Sequence, residues 1–241
     1  MNGFPRLSET FITHEIHQLE QIGLRLRLFS VKRENEDKVH PVVSAIRAPL
    51  EYLPRFGSLS GAQLVRWLSE NRQAYAGPNL KLMRARPWAY LRTAALALGL
   101  AWRHRSTEPG QGTRLRKVFI KEFLQAALIA QRVREVGDVG HLHGHFCHGV
   151  ATITWFVSRL TGIPFSFTAH AKDIYQADLN PGRLLERKLE AARFVVTCTL
   201  ANAQVLRARH PRPEDVHAIY HGLDTRFFRP EGPVAGDDDP L

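Results

Sequence analysis

Residues 141–173 read HLHGHFCHGVATITWFVSRLTGIPFSFTAHAKD, and this stretch restricts the fold more than any other. Two short apolar runs, 139–142 and 165–168, flank an amphipathic segment at 149–160 that Gly162 and Pro164 stop. The pattern is strand, helix, strand. The first strand opens into His143 and His145, the second into His170. A strand, a helical crossover and a parallel strand form a right-handed unit in nearly every sheet. The carboxyl ends of both strands then share one edge, where open α/β sheets bind their ligands. Two histidine-bearing loops on that edge read as a site.

The remainder alternates in the same manner. Ser8 is placed to cap a helix running to about Gly23, with Phe11, Ile12, Ile16, Leu19 and Ile22 on one face. Leu24, Leu26 and Leu28 alternate with Arg25 and Arg27, which predicts a strand over 24–31, and a short strand is expected at 42–46. From 59 to about 136 the pattern is helical, with breaks at Gly77-Pro78, Pro87 and Pro109-Gly110. After His170 come a polar helix (183–191), an apolar strand (194–198), a helix (201–209) and a strand (216–220) ending in His221-Gly222. The expected fold is α/β, a Rossmann-like doubly wound parallel sheet over 1–230 with a basic helical insertion at about 55–111. The Pro-, Gly- and Asp-rich stretch 231–241 is predicted to be disordered.

One strand is wanting from this scheme. The first strand of a doubly wound sheet is central, so the 24–31 strand and the strand ending at His143 would both border it. The sequence opens Met1-Asn2-Gly3-Phe4-Pro5, already in a loop. Either the start lies upstream or the sheet contains a gap, whose unpaired backbone groups are costly wherever they are dry. Weak or aggregating expression is the expected consequence.

Charge is distributed unevenly. Residues 77–121 hold ten Lys or Arg against the single acid Glu108, a net +9 within a chain of net +10. Interleaved are Leu80, Leu82, Met83, Trp88, Tyr90, Leu91, Leu96, Leu98, Leu100 and Trp102. Basic residues beside Trp and Leu on short helices suit an anionic membrane interface; a helical insertion packed on the domain with solvated arginines fits equally well. No nucleic-acid motif accompanies the charge, and no nucleic-acid partner is expected. Cys147 and Cys198 have no metal-ligand spacing and read as packed thiols in a reducing compartment. Residues 1–6 lack the features of a signal peptide, and no apolar run approaches the ~20 residues of a membrane span. A cytoplasmic placement is expected, at most peripheral on the inner face of the cell membrane.

Among the candidate site residues, His141, His143, His145 and His148 form H-x-H-x-H-x-x-H, with the first three on one face of an extended segment. Zinc accepts such ligands, but no carboxylate or thiolate falls in register to complete a set, so no metal or other cofactor is expected. His141 reads as structural, with His143 or His145 facing the cleft. His170 is sharper, since Thr168-Ala169-His170-Ala171-Lys172-Asp173 gathers a His, a Lys and an Asp at a strand end. An imidazole there can hydrogen-bond a sugar hydroxyl or a phosphate oxygen. Lys172 would pair with phosphate or with Asp173. Ser8, Glu9 and Thr10 lie at a helix amino end, where backbone N–H groups suit an anion or simply need capping. His221 and Gly222, followed by Leu223 and Asp224, turn out of the last strand.

At these residues the chain resembles glycosyltransferase family four. FPRLSETFI (4–12), HLHGHF (141–146), FTAHAKDIY (167–175) and YHGLDTRFFRP (220–230) carry the resemblance, which is nearest to the exopolysaccharide, colanic-acid-type branch. The resemblance implies half of a glycosyltransferase-B fold, the amino-terminal, acceptor-side domain. It implies retaining transfer of sugar from a nucleotide-sugar donor to a glycan or lipid-linked acceptor in cell-surface polysaccharide synthesis, usually without a metal. His170 would then stand beside the transferred sugar as the catalytic residue, and Ser8, Glu9 and Thr10 would line the cleft. His143, His145, Lys172, Asp173, His221 and Gly222 complete the expected substrate-binding set. The family's donor-binding domain, with its paired glutamates E-x7-E, has no counterpart in these 241 residues. The chain alone is therefore not expected to transfer sugar efficiently. The alternative is a non-catalytic module that binds an acceptor or a membrane surface.

Overall fold

The computed structural model describes residues 1–34, 38–54, 64–108 and 112–222. The start of the insertion (55–63), the break at Pro109-Gly110, the turn residues Leu223 and Asp224 and the tail 231–241 lie outside the described residues.

The chain opens with β1 (Gly3–Phe4), a 3-10 turn at Leu7–Glu9 and α1 (Thr10–Gln21). Ser8 is not the cap. It lies exposed within the turn, which closes on itself through Glu9 N–H to the Arg6 carbonyl (3.1 Å) and the Arg6 guanidinium to the Glu9 carboxylate (2.9 Å). α1 ends where Gly23 takes φ +90° and Leu24 N–H reaches back to Leu19 C=O at 3.0 Å. This is the left-handed ending that glycine adopts without strain.

The strand expected over 24–31 is shorter, β2 (Leu28–Ser30) followed by β3 (Lys32–Arg33). Pairing begins only where Leu28 N–H meets Pro49 C=O at 2.9 Å, and residues 24–27 have no described strand on either side. The strand expected at 42–46 is instead a 3-10 helix, Pro41–Ala45. Pro41 presets its first turn, His40 Nδ1 accepts from Val42 N–H (3.3 Å), and Ser44 Oγ donates to Pro41 C=O (2.7 Å). Local polar bonds of this kind outweigh the β preference of two valines. β4 (Leu50–Tyr52) then pairs in parallel with β2.

α2 (Leu64–Ala85) passes through Gly77-Pro78 without the expected break. Proline inside a helix removes one bond and costs ~3 kcal/mol. Tertiary anchoring offsets this: Tyr75 and Leu82 are buried, and Asn79 donates to Tyr75 C=O (2.8 Å) while accepting from Tyr90 Oη (3.0 Å) on the next helix. α3 (Pro87–Arg103) follows, starting at the expected break, then a β5 (Ser106–Glu108) and β6 (Gly112–Arg114) hairpin. α4 (Val118–Val136) buries Phe119, Phe123, Ala126, Ala127, Ala130 and Val133.

Next come β7 (Leu142–His145), α5 (Gly149–Thr161), β8 (Phe165–Ala169), α6 (Ala171–Tyr175), α7 (Leu184–Ala191), β9 (Phe194–Thr197), α8 (Leu200–Arg207) and β10 (Val216–Ala218). β7 starts later than expected and takes His143 and His145 into the strand, because its register is fixed by Leu142 opposite Phe165 and His145 opposite Thr168. The four strands form one parallel sheet in the order β10-β9-β8-β7. Gly144 lets α5 approach β7, since a Cβ there would stand 2.7 Å from Thr154 Oγ1 and 3.5 Å from Val150 Cγ1. Phe156, Leu160, Phe165, Phe167, Leu189 and Leu206 form the fully buried centre, each contributing ~1.5–3 kcal/mol by burial.

The architecture is thus the expected mixed α/β arrangement with parallel strands and helical crossovers, consistent with a Rossmann-like half domain. The expected gap is present too: among the described residues no strand joins β2–β4 to β7.

Candidate functional site

The carboxyl edge of the parallel sheet collects the residues singled out above. His170 follows β8, Phe146 follows β7, His221 follows β10, and Phe11 reaches the same spot from the first turn of α1. Their rings form one cluster: Phe146 to His170 4.8 Å between centroids, Phe11 to His170 4.9 Å, Phe11 to His221 4.6 Å, and His170 to His221 5.8 Å.

His170 is held by its own backbone. Its N–H donates to Asp173 Oδ1 (2.7 Å), and the Cys147 N–H donates to the other oxygen of the same carboxylate. Asp173, 1% exposed, therefore ties the β7 loop to the β8 loop instead of lining the cleft. His148 Nδ1 stands 3.6 Å from it. Burial would push this carboxyl up, but the bonds from His148, Cys147 and His170 hold it below its ordinary value. Phe146 pays for the junction with φ +77°, a left-handed backbone that is rare for a bulky residue and concentrates at functional loops.

A buried polar chain supports this junction from behind. Lys188 of α7 is 0% exposed and donates to Cys147 C=O (2.5 Å), Asn180 Oδ1 (2.5 Å) and Thr152 Oγ1 (3.4 Å). Asn180 in turn donates to Asp173 C=O (2.9 Å), and the Cys147 thiol donates to the same carbonyl (3.2 Å). Burial pushes the Lys188 pKa down and the Glu122 pKa up, and the opposite charge of each partner resists both shifts. The sequence pattern does not single out Lys188, Asn180 or Glu122. One signal existed for Lys188, which shares the buried stripe of Leu184, Leu185 and Leu189 in a helix that otherwise looks polar.

His170 itself has a buried Nε2 without a hydrogen-bond partner among the described residues. Burial lowers its pKa, and the His221 charge adds to this, while Asp173 opposes it. A neutral imidazole with a free ring nitrogen at a sheet edge can donate to, or accept from, an incoming oxygen.

The remaining candidates divide. His143 has both ring nitrogens engaged, Nδ1 with Ser166 Oγ (2.7 Å) and Nε2 with Thr168 Oγ1 (3.0 Å), and His141 shares Ser166 (2.8 Å). Desolvation, then the His141 and amino-terminal charges, lower His143 to about 4. His145 is buried, its Nδ1 unpartnered among the described residues, and its pKa lies well below the ordinary histidine value because of burial. Lys172 is exposed on α6 and makes no ion pair with Asp173. Thr10 begins α1 beside Phe11, Glu9 is bound by Arg6, and Ser8 faces solvent. Gly222 lies against α1, where a Cβ would come 3.7 Å from Gln18 Nε2.

Among the described residues, two groups bring metal-binding atoms within 4.8 Å of one another: His170, Cys198 and His221, and Glu15, His143 and His145. Cys198, at the exit of β9, and Glu15, on α1, are additions that the sequence pattern did not indicate.

No curated protein matches the chain. The family model described as Glycosyltransferase Family 4 matches residues 103–227, which span α4 to β10 and most of the site above.

Proposed function

The chain belongs to glycosyltransferase family 4, and from that membership we propose that it forms the acceptor-side wall of a sugar-transfer cleft. The proposed reaction moves a sugar from a nucleotide-sugar to a glycan or lipid-linked acceptor, with retention of configuration and without a metal, in cell-surface polysaccharide synthesis. The observation that supports the reading most is His170, whose buried Nε2 has no described partner and whose ring is fixed between Phe11, Phe146 and His221. Its neutral imidazole hydrogen-bonds a hydroxyl of the transferred sugar or an oxygen of the departing phosphate. Such a bond accelerates transfer only as far as it is stronger in the transition state, which requires the rigid placement that Asp173 and Lys188 supply. The facing, donor-binding wall comes from a second domain.

The test supplies that second domain in trans with a radiolabelled nucleotide-sugar and a lipid-linked acceptor. Transfer should appear on mixing and fall ~100-fold or more in His170→Ala. Unchanged transfer by that variant would remove His170 from the chemistry.

A second reading, surface binding at a membrane, has its own observation. Trp88, Leu91, Ala95, Leu98 and Trp102 recur every three or four residues along α3 and are all exposed, Trp88 at 73% and Trp102 at 59%. Arg84, Arg86, Arg92, Arg103 and Arg105 are exposed around them. This is the face an interfacial helix offers to anionic lipid. No described helix is long and apolar enough to cross a membrane. Liposome co-sedimentation that needs anionic lipid, weakens with salt and is lost in Trp88→Ser/Trp102→Ser supports this role; binding indifferent to all three excludes it.

A further inference from the structure

The sheet edge that carries His170 brings a second kind of donor beside it, the thiol of Cys198. The geometry points to a zinc-binding set of His170, Cys198 and His221, which stops sugar transfer while the ion is bound. The inhibitory part rests on the sugar-transfer reading of His170; the binding itself does not.

Sheet register produces the set. β8, β9 and β10 are neighbours, with Thr197 opposite Ala169 on one side and Ala218 on the other. His170 and Cys198 are the next residues along β8 and β9, one strand spacing of ~4.8 Å apart. Beyond β10, Ile219 N–H still donates to Thr197 C=O (2.8 Å), and the chain delivers His221 to the same edge. One ligand atom from each of the three lies within 4.8 Å of the other two. Zinc holds nitrogen at ~2.0 Å and sulfur at ~2.3 Å, so tetrahedral ligands stand about 3.5 Å apart. Closing to that spacing takes a movement on the order of 1 Å. The exposed His221 supplies it by turning, while His170 stays packed between Phe11 and Phe146.

Each member suits an ion. His170 Nε2 is buried without a described partner, a state that costs ~1–3 kcal/mol until something meets it. Cys198 is a free, half-buried thiol. Asp173, which accepts from the His170 N–H, adds negative charge behind the ligands. Two imidazoles and a thiolate select a borderline-soft ion such as zinc over Mg²⁺ or Ca²⁺, which take oxygen ligands. On binding, the thiol releases its proton to solvent and both imidazoles enter neutral, so one proton leaves per ion. Three protein ligands leave the fourth position to water.

The other group of donors does not qualify. Glu15, His143 and His145 face a cavity of about 1050 Å³, which Ile16 of α1 and Leu142 of β7 also line. Both ring nitrogens of His143 are already bonded, to Ser166 and Thr168, so an ion there would strand a β8 hydroxyl. At the sheet edge nothing has to be broken. An ion on His170 Nε2 takes the atom through which the imidazole meets a sugar hydroxyl or a phosphate oxygen. Zinc is then a reversible brake on transfer and has no part in the reaction.

The experiment titrates the full chain with Zn²⁺ against a chromogenic chelator, and with Co²⁺ as an optical substitute. One ion per chain should bind, and Co²⁺ should show thiolate-to-cobalt charge transfer with the visible bands of a tetrahedral ion. Cys198→Ser and His221→Ala should each weaken binding ~100-fold or more, since even outer-shell partners are worth ~10–100-fold. His217→Ala, exposed on β10, should leave it unchanged. No charge-transfer band in the folded chain, or an affinity indifferent to Cys198→Ser, overturns the site. Loss of binding in Glu15→Gln also overturns it, by assigning the ion to the other group. With the donor domain in trans, Zn²⁺ at ~10 times its dissociation constant should slow transfer ~10-fold, and a chelator should restore it. Zinc bound through Cys198 with transfer unchanged keeps the ion site and overturns both the inhibition and the role of His170. No binding, with His170→Ala still inactive in transfer, overturns the ion site and leaves the sugar-transfer reading in place.

Discussion

The two halves of this molecule obey the same rules with different success. From β7 to β10 each strand finds a parallel neighbour and a covering helix, and the core runs continuously from Leu82 to Val216. From Met1 to Tyr52 the strands are two or three residues long, paired two by two, around a separate core of Phe4, Ile12, Ile16 and Leu28. The amino-terminal residues are somewhat poorer in apolar side chains, and no described strand joins β2–β4 to β7. A parallel strand is stabilised from both edges and both faces, and β2, with β4 as its one described strand partner, is three residues long.

The largest expected effect follows directly. Phe167→Ala, in the closed half, should destabilise by ~3–5 kcal/mol, while Ile16→Ala, beside the cavity, should lose only ~2 kcal/mol because its surroundings are already loose. Equal losses in chemical denaturation would break the comparison. Next, His170→Ala should lose ~100-fold in transfer with little change in Tm. His143→Ala should instead lose ~1–2 kcal/mol of stability, since it strands the Thr168 hydroxyl and leaves Ser166 only its bond to His141. The reverse pattern would exchange the roles of the two histidines. Gly144→Ala should cost ~1–3 kcal/mol by driving α5 off β7, read as a lowered urea midpoint with an unchanged slope.

The smallest effect concerns pH, and the histidines and Glu15 pull it in opposite directions. His143, His145 and His170 are all held below the ordinary 6.5, His143 at about 4. The unfolded chain therefore takes up protons first, and stability should be complete above about pH 7 and decline as pH falls from 6.5 towards 4. Glu15, facing the cavity, is raised by burial from 4.5 to about 7 and acts oppositely, losing stability as pH rises through that interval. Glu15→Gln should then steepen the acid loss; a slope that stays the same in urea melts across this range would show that Glu15 is solvated.

The strand–helix–strand unit at 141–173 was legible because burial on both faces makes strands that read as continuous apolar runs. The vacancy was legible as well, from strand order alone. What escaped was decided by bonds that periodicity does not record. Pro41 with Ser44 made a 3-10 turn out of a valine-rich run, and Asn79 carried α2 through Pro78. At the site, the sequence indicated the histidines at the strand ends but not their unequal states. Ser166 and Thr168 engage His143, while nothing described engages His170 Nε2. Asp173 looked like a cleft residue because it sits three positions after His170, the same spacing that lets its carboxylate fold back on the loop.

That carboxylate has a kinetic meaning. Because Asp173 grips amides from two loops at once, the exits of β7 and β8 behave as a single stator. Any widening that admits a ligand must come from the parts lacking such a grip, namely Phe11 on α1 and the exposed His221 beyond β10. Entry and release would then be timed by the parting of Phe11 from His221, while Phe146 and the grip of Asp173 keep the His170 backbone in place.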